Sequence, residues 1–383
     1  MKLVEIIGSQ AEVVMSAAFN KMAGRHNIVE KDESRHVERA VVLAMPQADI
    51  DHAKVQIDRL NLMPASLELP VPDGGRSDVS GFLLEEVEKV LLAGNPDMVL
   101  VYGASEAAVA GALAAAKLPV PVAHVEAGAR TGERGLAEDT NRIAVDRVAT
   151  LLFCPTRRCL ANLEEEGTTA AKGVTAMHTG DFLLDAAMVY APEAGFQSHI
   201  LRKLGISPKP RRIGVEVDEP VVLCTLGRET LEDEKRLAQT MRGLALVADS
   251  ARVIVIPAPA VQGRISGDGL PENVTILDPV SYWDMLELLK RCQVVCSDSH
   301  ALTREGYFFH KPSILLREDT EWPELVEQGC CRVLGKDSGA EAIPDAFNGL
   351  SGVQVRFDQG LFGTGKAAAT AVEAMVEFMA GKG

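Results

Sequence analysis

The chain has 383 residues, more than one ordinary hydrophobic core supports, so two domains are expected. Its 47% hydrophobic and 24% charged residues match a soluble globular protein, and a net charge of −15 argues against non-selective binding of nucleic acid or an anionic membrane. A small anionic ligand stays open, because a local arginine cluster or a helix N-terminus overrides the global field.

The opening "MKLVEIIG" enters strand-like sequence directly, with no signal pattern. It runs into "GSQAE", Gly8 to Glu12, a glycine turn feeding an amphipathic helix. This is either a plain turn or a phosphate cradle built from backbone N–H groups. "AVVLAMP" reads as a second strand, and Val79, Leu83, Val87, Val90 and Leu91 then recur at helical spacing. "DMVLVYG" is a third strand that ends in "VYGASEA", where Ser105 suits a helix cap, and "SEAAVAGALAAAK" is a small-residue helix able to lie close to a sheet. "PVAHVE" and "TLLFCP" complete the first set; "PVVLCTLG", "RVIVIP", "VTIL", "QVVCS" and "PSILLR" form a second. Near-continuous apolar strands imply burial on both faces, hence parallel sheets covered by helices, and two successive sets imply two α/β domains. Irregular, Pro- and Gly-rich text near residues 186–218 marks the boundary. No apolar run approaches the ~18 residues of a membrane helix. Seven scattered cysteines without a CxxC pair suggest reduced core thiols in a cytoplasmic protein, the Cys330-Cys331 pair included.

In open parallel sheets ligands sit at the carboxyl ends of the strands, so those positions are the candidates. After "PVAHVE", Glu126 precedes the turn at Gly128, and Glu138-Asp139 and Asn141-Arg142 follow. Paired carboxylates there suit general acid–base work, one removing a proton and one returning it. An arginine–carboxylate network pinning the loop through Arg130 or Arg142 explains the same spacing equally well. In the second half, "CTLGRET" offers Gly227 and Arg228 as an anion contact, and "CSDSHALTREG" offers a strand-to-helix turn. Ser299 caps that helix in this reading, and the amides of His300 and Ala301 either bind phosphate or simply begin the helix. Glu305 can accept a ribose diol. No HxH or HxxxH pair and no Cys/His grouping points to a metal, and no G-x-S-x-G elbow points to a serine triad.

Taken in order, "HVEAGARTG", "EDTNRIAVDRVATLLFCPT", "TGDFLLDA", "DPVSYWDMLELLKRCQVVCSDS", "KPSILLREDTEWPE" and "FGTGKAAA" resemble the UDP-N-acetylglucosamine 2-epimerase family over nearly the whole chain. The resemblance implies two Rossmann-like domains of GT-B type with parallel sheets and an interdomain cleft. The domains would be residues 1–190 and 191–363, with a C-terminal helix in 364–383 returning to the first. It further implies a homodimer, a UDP-sugar or similar small anionic ligand, and no cofactor. The implied reaction removes the C2 proton of UDP-GlcNAc, expels UDP to leave a glycal, and re-adds both to give UDP-ManNAc. Carried onto this chain, Glu126 and Glu138 would be catalytic. Gly8, Gln10, Arg142, Arg228, Ser299, His300, Ala301, Glu305 and Glu321 would bind substrate.

The chain also departs from the family pattern. Gln10 replaces a diphosphate-binding arginine, Ala104 a catalytic aspartate, Gly227 a catalytic histidine and Ile256 the histidine of a His-Pro motif. His300-Ala301 replaces Gly-Gly, and Trp322 an arginine. Three readings follow from these changes. One is an epimerase in which Ser105, Glu106 or His124 substitutes for the lost groups. Another is a non-catalytic descendant that binds a nucleotide sugar or another partner. The last is a repurposed enzyme whose Gln10 and Trp322 suit a less charged ligand.

Overall fold

The computed structural model describes residues 1–72, 74–131, 137–207, 220–356, 358 and 360–381. Residues 208–219, at the end of the expected boundary stretch, lie outside the described residues. The chain forms two compact units, Met1–Ala186 with Asp358–Gly383, and Ala187–Phe357.

The first unit holds a seven-stranded sheet made of β1 (Lys2–Ile7), β2 (Glu38–Leu43), β3 (Leu67–Glu68), β4 (Met98–Tyr102), β5 (Val122–Val125), β6 (Leu151–Cys154) and β7 (Thr175–His178). All the pairings are parallel, in the order β3-β2-β1-β4-β5-β6-β7. The connecting helices are α1 (Gln10–Val29), α2 (Gln47–Arg59), α3 (Arg76–Gly94), α4 (Glu106–Lys117), α5 (Ala137–Val148) and α6 (Arg157–Glu165). The central strands are buried along their whole length, as the apolar runs require: every residue of β4, β5 and β6 is buried. Small residues let α4 lie close to them, and a Cβ on Gly111 would already stand 3.0 Å from Ile6 and 3.1 Å from Val101. One buried carboxylate interrupts this apolar core. Glu5 on β1 accepts from Ser16 and Tyr102, each at 2.8 Å, and from Arg39, so four elements share one polar knot.

The chain leaves the first unit within α7 (Phe182–Gln197). The second unit carries β8 (Val221–Leu226), β9 (Arg252–Pro257), β10 (Val274–Ile276), β11 (Val294–Ser297), β12 (Ser313–Leu315) and β13 (Cys331–Val333), parallel in the order β10-β9-β8-β11-β12-β13. Its helices are α8 (Ile200–Lys203), α9 (Arg228–Leu231), α10 (Glu234–Val247), α11 (Tyr282–Arg291), α12 (His300–Phe308), α13 (Pro323–Glu327) and α14 (Ala342–Leu350). One apolar cluster fills each face of this sheet: Leu244, Val253 and Phe347 belong to one, Leu223, Ile254 and Leu289 to the other. The last helix, α15 (Ala367–Ala380), belongs to the first unit. It packs on α1, and its first amides, from Ala367 and Ala368, donate to the buried Asp185 carboxylate at 3.2 and 2.8 Å.

Each unit is therefore a Rossmann-like α/β layer structure. The sequence reading counted ten strands and missed β3, β7 and β13. All three are edge strands of two to four residues, too short and too exposed to carry an apolar signature. No helix among the described residues is long and apolar enough to cross a membrane.

Candidate active site

Strand order reverses between β1 and β4 in the first unit and between β8 and β11 in the second, the two places where such sheets open to ligands. Side chains at these two points carry most of the polar chemistry.

In the first unit, Gly8 follows β1 and its N–H donates to Glu12 Oε2 at 2.5 Å. A Cβ at Gly8 would lie 2.5 to 2.8 Å from Ser105 and Ala107, so glycine is needed for the close approach of the α4 N-terminus. As for the two readings of this turn, plain turn or phosphate cradle, the structure shows the Gly8 amide donating to a side chain of its own helix. Ser9 caps that helix by accepting the Glu12 amide at 3.3 Å. The Gln10 side-chain amide donates to Asp49 O at 2.7 Å and ties α1 to α2.

Gly103 follows β4 with φ +58°, and a Cβ built there would stand 3.2 Å from Glu126 Oε2 and 4.0 Å from Glu12 Oε1. Two carboxyl groups thus flank one bare glycine. Glu126 itself has φ +68°, a left-handed conformation that costs an L-residue about 1–2 kcal/mol. Such strain survives where the surroundings over-determine the backbone, and it concentrates at functional sites. Both carboxyl groups are buried, Glu12 3% and Glu126 5% exposed. Burial pushes Glu12 up to about 8, the Gly8 amide and the Ser105 hydroxyl oppose this, and the Glu126 charge adds to it. Sequence reading passed over Glu12, which looks like an ordinary first-turn acid at a helix start.

The charged loop after β5 is pinned through Arg130. Its guanidinium meets Glu166 through two bonds of 2.9 Å and Asp146 Oδ2 at 2.8 Å. Asp146 also accepts from Gly128 N at 3.2 Å and from His124 Nδ1 at 2.7 Å. Burial acts to raise the Asp146 carboxyl, but the charges and hydrogen bonds of His124 and Arg130 hold it below its ordinary value. His124 is wholly buried, and its Nε2 lies 2.8 Å from the carbonyl of Gly103. With a carbonyl on one side and a carboxylate on the other, the ring ties the loop to the end of β4. Ser105 caps α4, and Glu106 accepts from Ser80 and Asn141. Asn141 also donates to Ala104 O at 3.0 Å, which fixes α5 to the end of β4. Arg142 is buried, with Nη1 3.7 Å from Asp139, and Glu138 is half-buried in the first turn of α5. The two readings of the loop thus divide between its residues: Arg130, Asp146 and Glu166 pin it, while Glu126 turns to the other flank beside Glu12.

In the second unit, Gly227 follows β8 and its N–H donates to both oxygens of Asp298, at 2.8 and 2.9 Å, across to the end of β11. Burial raises the Asp298 carboxyl, against hydrogen bonds from Thr230 and Gly227. Ser299 caps α12 by accepting the Leu302 amide at 3.3 Å, with His300 buried and Ala301 half-buried in the first turn. Glu305, 7% exposed on the same helix, accepts from Tyr282 OH at 2.9 Å, a contact no sequence motif announced. Arg228 is exposed at the start of α9. Glu321 is buried beside Trp322, which is wholly buried under the Arg304 guanidinium, 4.3 Å from its ring centroid. Trp322 is therefore a core residue of its own unit, and neither it nor Gln10 supports the reading of a less charged ligand.

Comparison with known proteins gives the same picture from the whole chain. Residues 30–376 match the family model described as UDP-N-acetylglucosamine 2-epimerase. A Pseudomonas aeruginosa UDP-2,3-diacetamido-2,3-dideoxy-D-glucuronate 2-epimerase is 32% identical over 375 residues, covering 97% of this chain and 99% of that protein. A Methanocaldococcus jannaschii UDP-N-acetylglucosamine 2-epimerase is 29% identical over 349 residues, 88% of each chain. A crystal structure of Methanocaldococcus jannaschii UDP-GlcNAc 2-epimerase, in complex with UDP-GlcNAc and UDP, superposes with a TM-score of 0.84 at 26% identity, covering 98% of this chain and 100% of that one. With a family model matching residues 30–376 and a relative matched from end to end, the chain belongs to the UDP-N-acetylglucosamine 2-epimerase family.

Proposed function

We propose that the protein is a nucleotide-sugar 2-epimerase that inverts C2 of a UDP-linked 2-acetamido sugar. The observation that carries this reading is the end-to-end match to 2-epimerases, one for UDP-GlcNAc and one for a 2,3-diacetamido glucuronate. The site geometry supports it: a buried carboxylate, Glu126, stands at a strand end on strained backbone, where proton abstraction needs a base. In the reaction the C2–H electron pair becomes a C1=C2 double bond as the C1–O bond breaks and UDP leaves. Return of a proton to the opposite face of C2, with the UDP oxygen re-adding to C1, completes the inversion.

Glu126 is the base in this reading, and Glu138 serves the other face from the first turn of α5. Arg142 favours the leaving diphosphate. In the second unit the α12 turn at Ser299, His300 and Ala301 receives phosphate, Glu305 receives the ribose and Glu321 the sugar. Arg228 is the exposed cation near the phosphates. No step calls for a cofactor or metal. A homodimer in the cytoplasm completes the reading, and light scattering on the purified chain checks the dimer.

The test is proton NMR in D₂O with UDP-GlcNAc and, separately, UDP-2,3-diacetamido-2,3-dideoxy-D-glucuronate. Deuterium entering C2 of either sugar, lost in Glu126→Gln, is the expected result. A folded protein that exchanges neither C2 proton refutes the proposal for these substrates.

A further inference from the structure

We infer that Asp298 and Thr225 are positioning residues for the nucleotide's phosphates: from either side of one peptide they brace the turn at Ser299, His300 and Ala301 against the end of β8. The inference rests on the epimerase reading, which sends the diphosphate to that turn, and adds the two side chains that set the turn's place.

The ladder between β8 and β11 ends at the pair Thr225 and Ser297. Beyond it the two strands are joined by side chains. Thr225 Oγ1 and Ser297 Oγ lie 2.6 Å apart, and Ser297 Oγ also accepts the Ser299 amide at 2.9 Å. A hydroxyl has one hydrogen and two lone pairs, so Ser297 serves both partners at once and ties Ser299 N to β8. The next residue forms the second brace. The Asp298 carboxylate accepts from Gly227 N at 2.8 and 2.9 Å and from Thr230 N at 3.2 Å. These amides of the "CTLGRET" turn are therefore taken by a carboxylate of the chain itself, and the neighbouring turn is left to receive a ligand anion. Position 227 admits the arrangement because it is bare: a Cβ there would stand 3.3 and 3.5 Å from the two Asp298 oxygens. Both braces are shielded from water, Ser297 wholly buried and Asp298 6% exposed. Fixed placement matters at an anion site, because its amides act through preorganisation, and a misplacement of about 1 Å can cost about a hundredfold.

Titration of the full chain with UDP, by calorimetry, and with uridine, by NMR, tests the role, since uridine lacks the phosphates. Asp298→Asn keeps the shape but turns an NH₂ group toward an amide that needs an acceptor. It is expected to weaken UDP about ten- to a hundredfold while uridine changes by less than about twofold. Thr225→Val removes only a hydroxyl and is expected to weaken UDP about three- to tenfold, with Thr225→Ser restoring it. Should Asp298→Asn fail to fold, the two Thr225 variants decide. Equal losses for UDP and uridine would make the braces merely structural and overturn the inference. So would unchanged UDP affinity in the variants, a Thr225→Ser chain as weak as Thr225→Val, or a wild type that binds no UDP. A wild type that binds UDP, weakened as expected in the variants, yet exchanges no C2 proton removes the epimerase reading and leaves the positioning role standing.

Discussion

Asp146→Asn tests the claim that most of the charge after β5 is structural. The substitution keeps the shape of a fully buried side chain and removes the negative charge that faces both Arg130 and His124. Breaking a buried ion pair by removing one partner costs about 3–5 kcal/mol. Arg130 keeps its two bonds to Glu166, which is partly exposed, so the lower end, about 3 kcal/mol, applies. For a unit of this size that is a fall of roughly 6–12 °C in the melting temperature. Calorimetry of wild type and variant near pH 7.5 measures it. The pH dependence adds a second condition. Asp146 is held below its ordinary value in the folded state, so its contribution is present above about pH 4 and is lost as pH falls through the folded value. The gap between variant and wild type must therefore narrow under acid. A variant melting within about 2 °C of wild type, or a gap that stays constant down to pH 3, would refute the pin.

Three other outcomes are expected. Gly128→Ala places a Cβ 2.1 Å from Cys159 O at φ +77°, and urea unfolding should show a loss of about 3 kcal/mol or more from combined strain and overpacking. Glu12 is raised from 4.5 to about 8, so its contribution to stability is complete below 4.5 and disappears as pH rises through 8. Glu12→Gln should therefore melt progressively higher than wild type between pH 6 and pH 9, and parallel curves would contradict the buried acid. Tyr282→Phe removes the hydroxyl that donates to Glu305, and calorimetric titration should find UDP bound about tenfold more weakly, the worth of a hydrogen bond to a charged group.

Much of the fold was legible because burial on both faces leaves a mark in single strands. "MVLVY" and "VVLCTL" can be little else than interior parallel strands. Leu67–Glu68 has no such mark, and its strand exists only because β2 offers it an edge. The positions of Glu126, Ser299 and Glu305 were legible from motif order, and the structure adds their backbone and neighbours. Glu12 and Asp146 were not legible as partners. Glu12 and Glu126 come to flank Gly103 across 114 positions of chain, and His124 meets Asp146 across 22, through a register that only the assembled sheet sets. Likewise Tyr282 gives no sign in its own helix that it will reach Glu305, since that contact depends on how α11 and α12 lie against one sheet.

The first unit is made in two instalments: its sheet comes from Met1–Ala186, and α15 arrives only after the whole of Ala187–Phe357 has been synthesised. At about 5–20 residues per second on the ribosome, the completed sheet waits on the order of ten to forty seconds for the helix that packs on α1. Through that interval the face of α1 that will meet α15 is bare, and the Asp185 carboxylate lacks the two amides that will donate to it. The nascent chain is then most open to chaperone capture and to proteolysis, and a truncation before α15 should prolong that vulnerable state indefinitely.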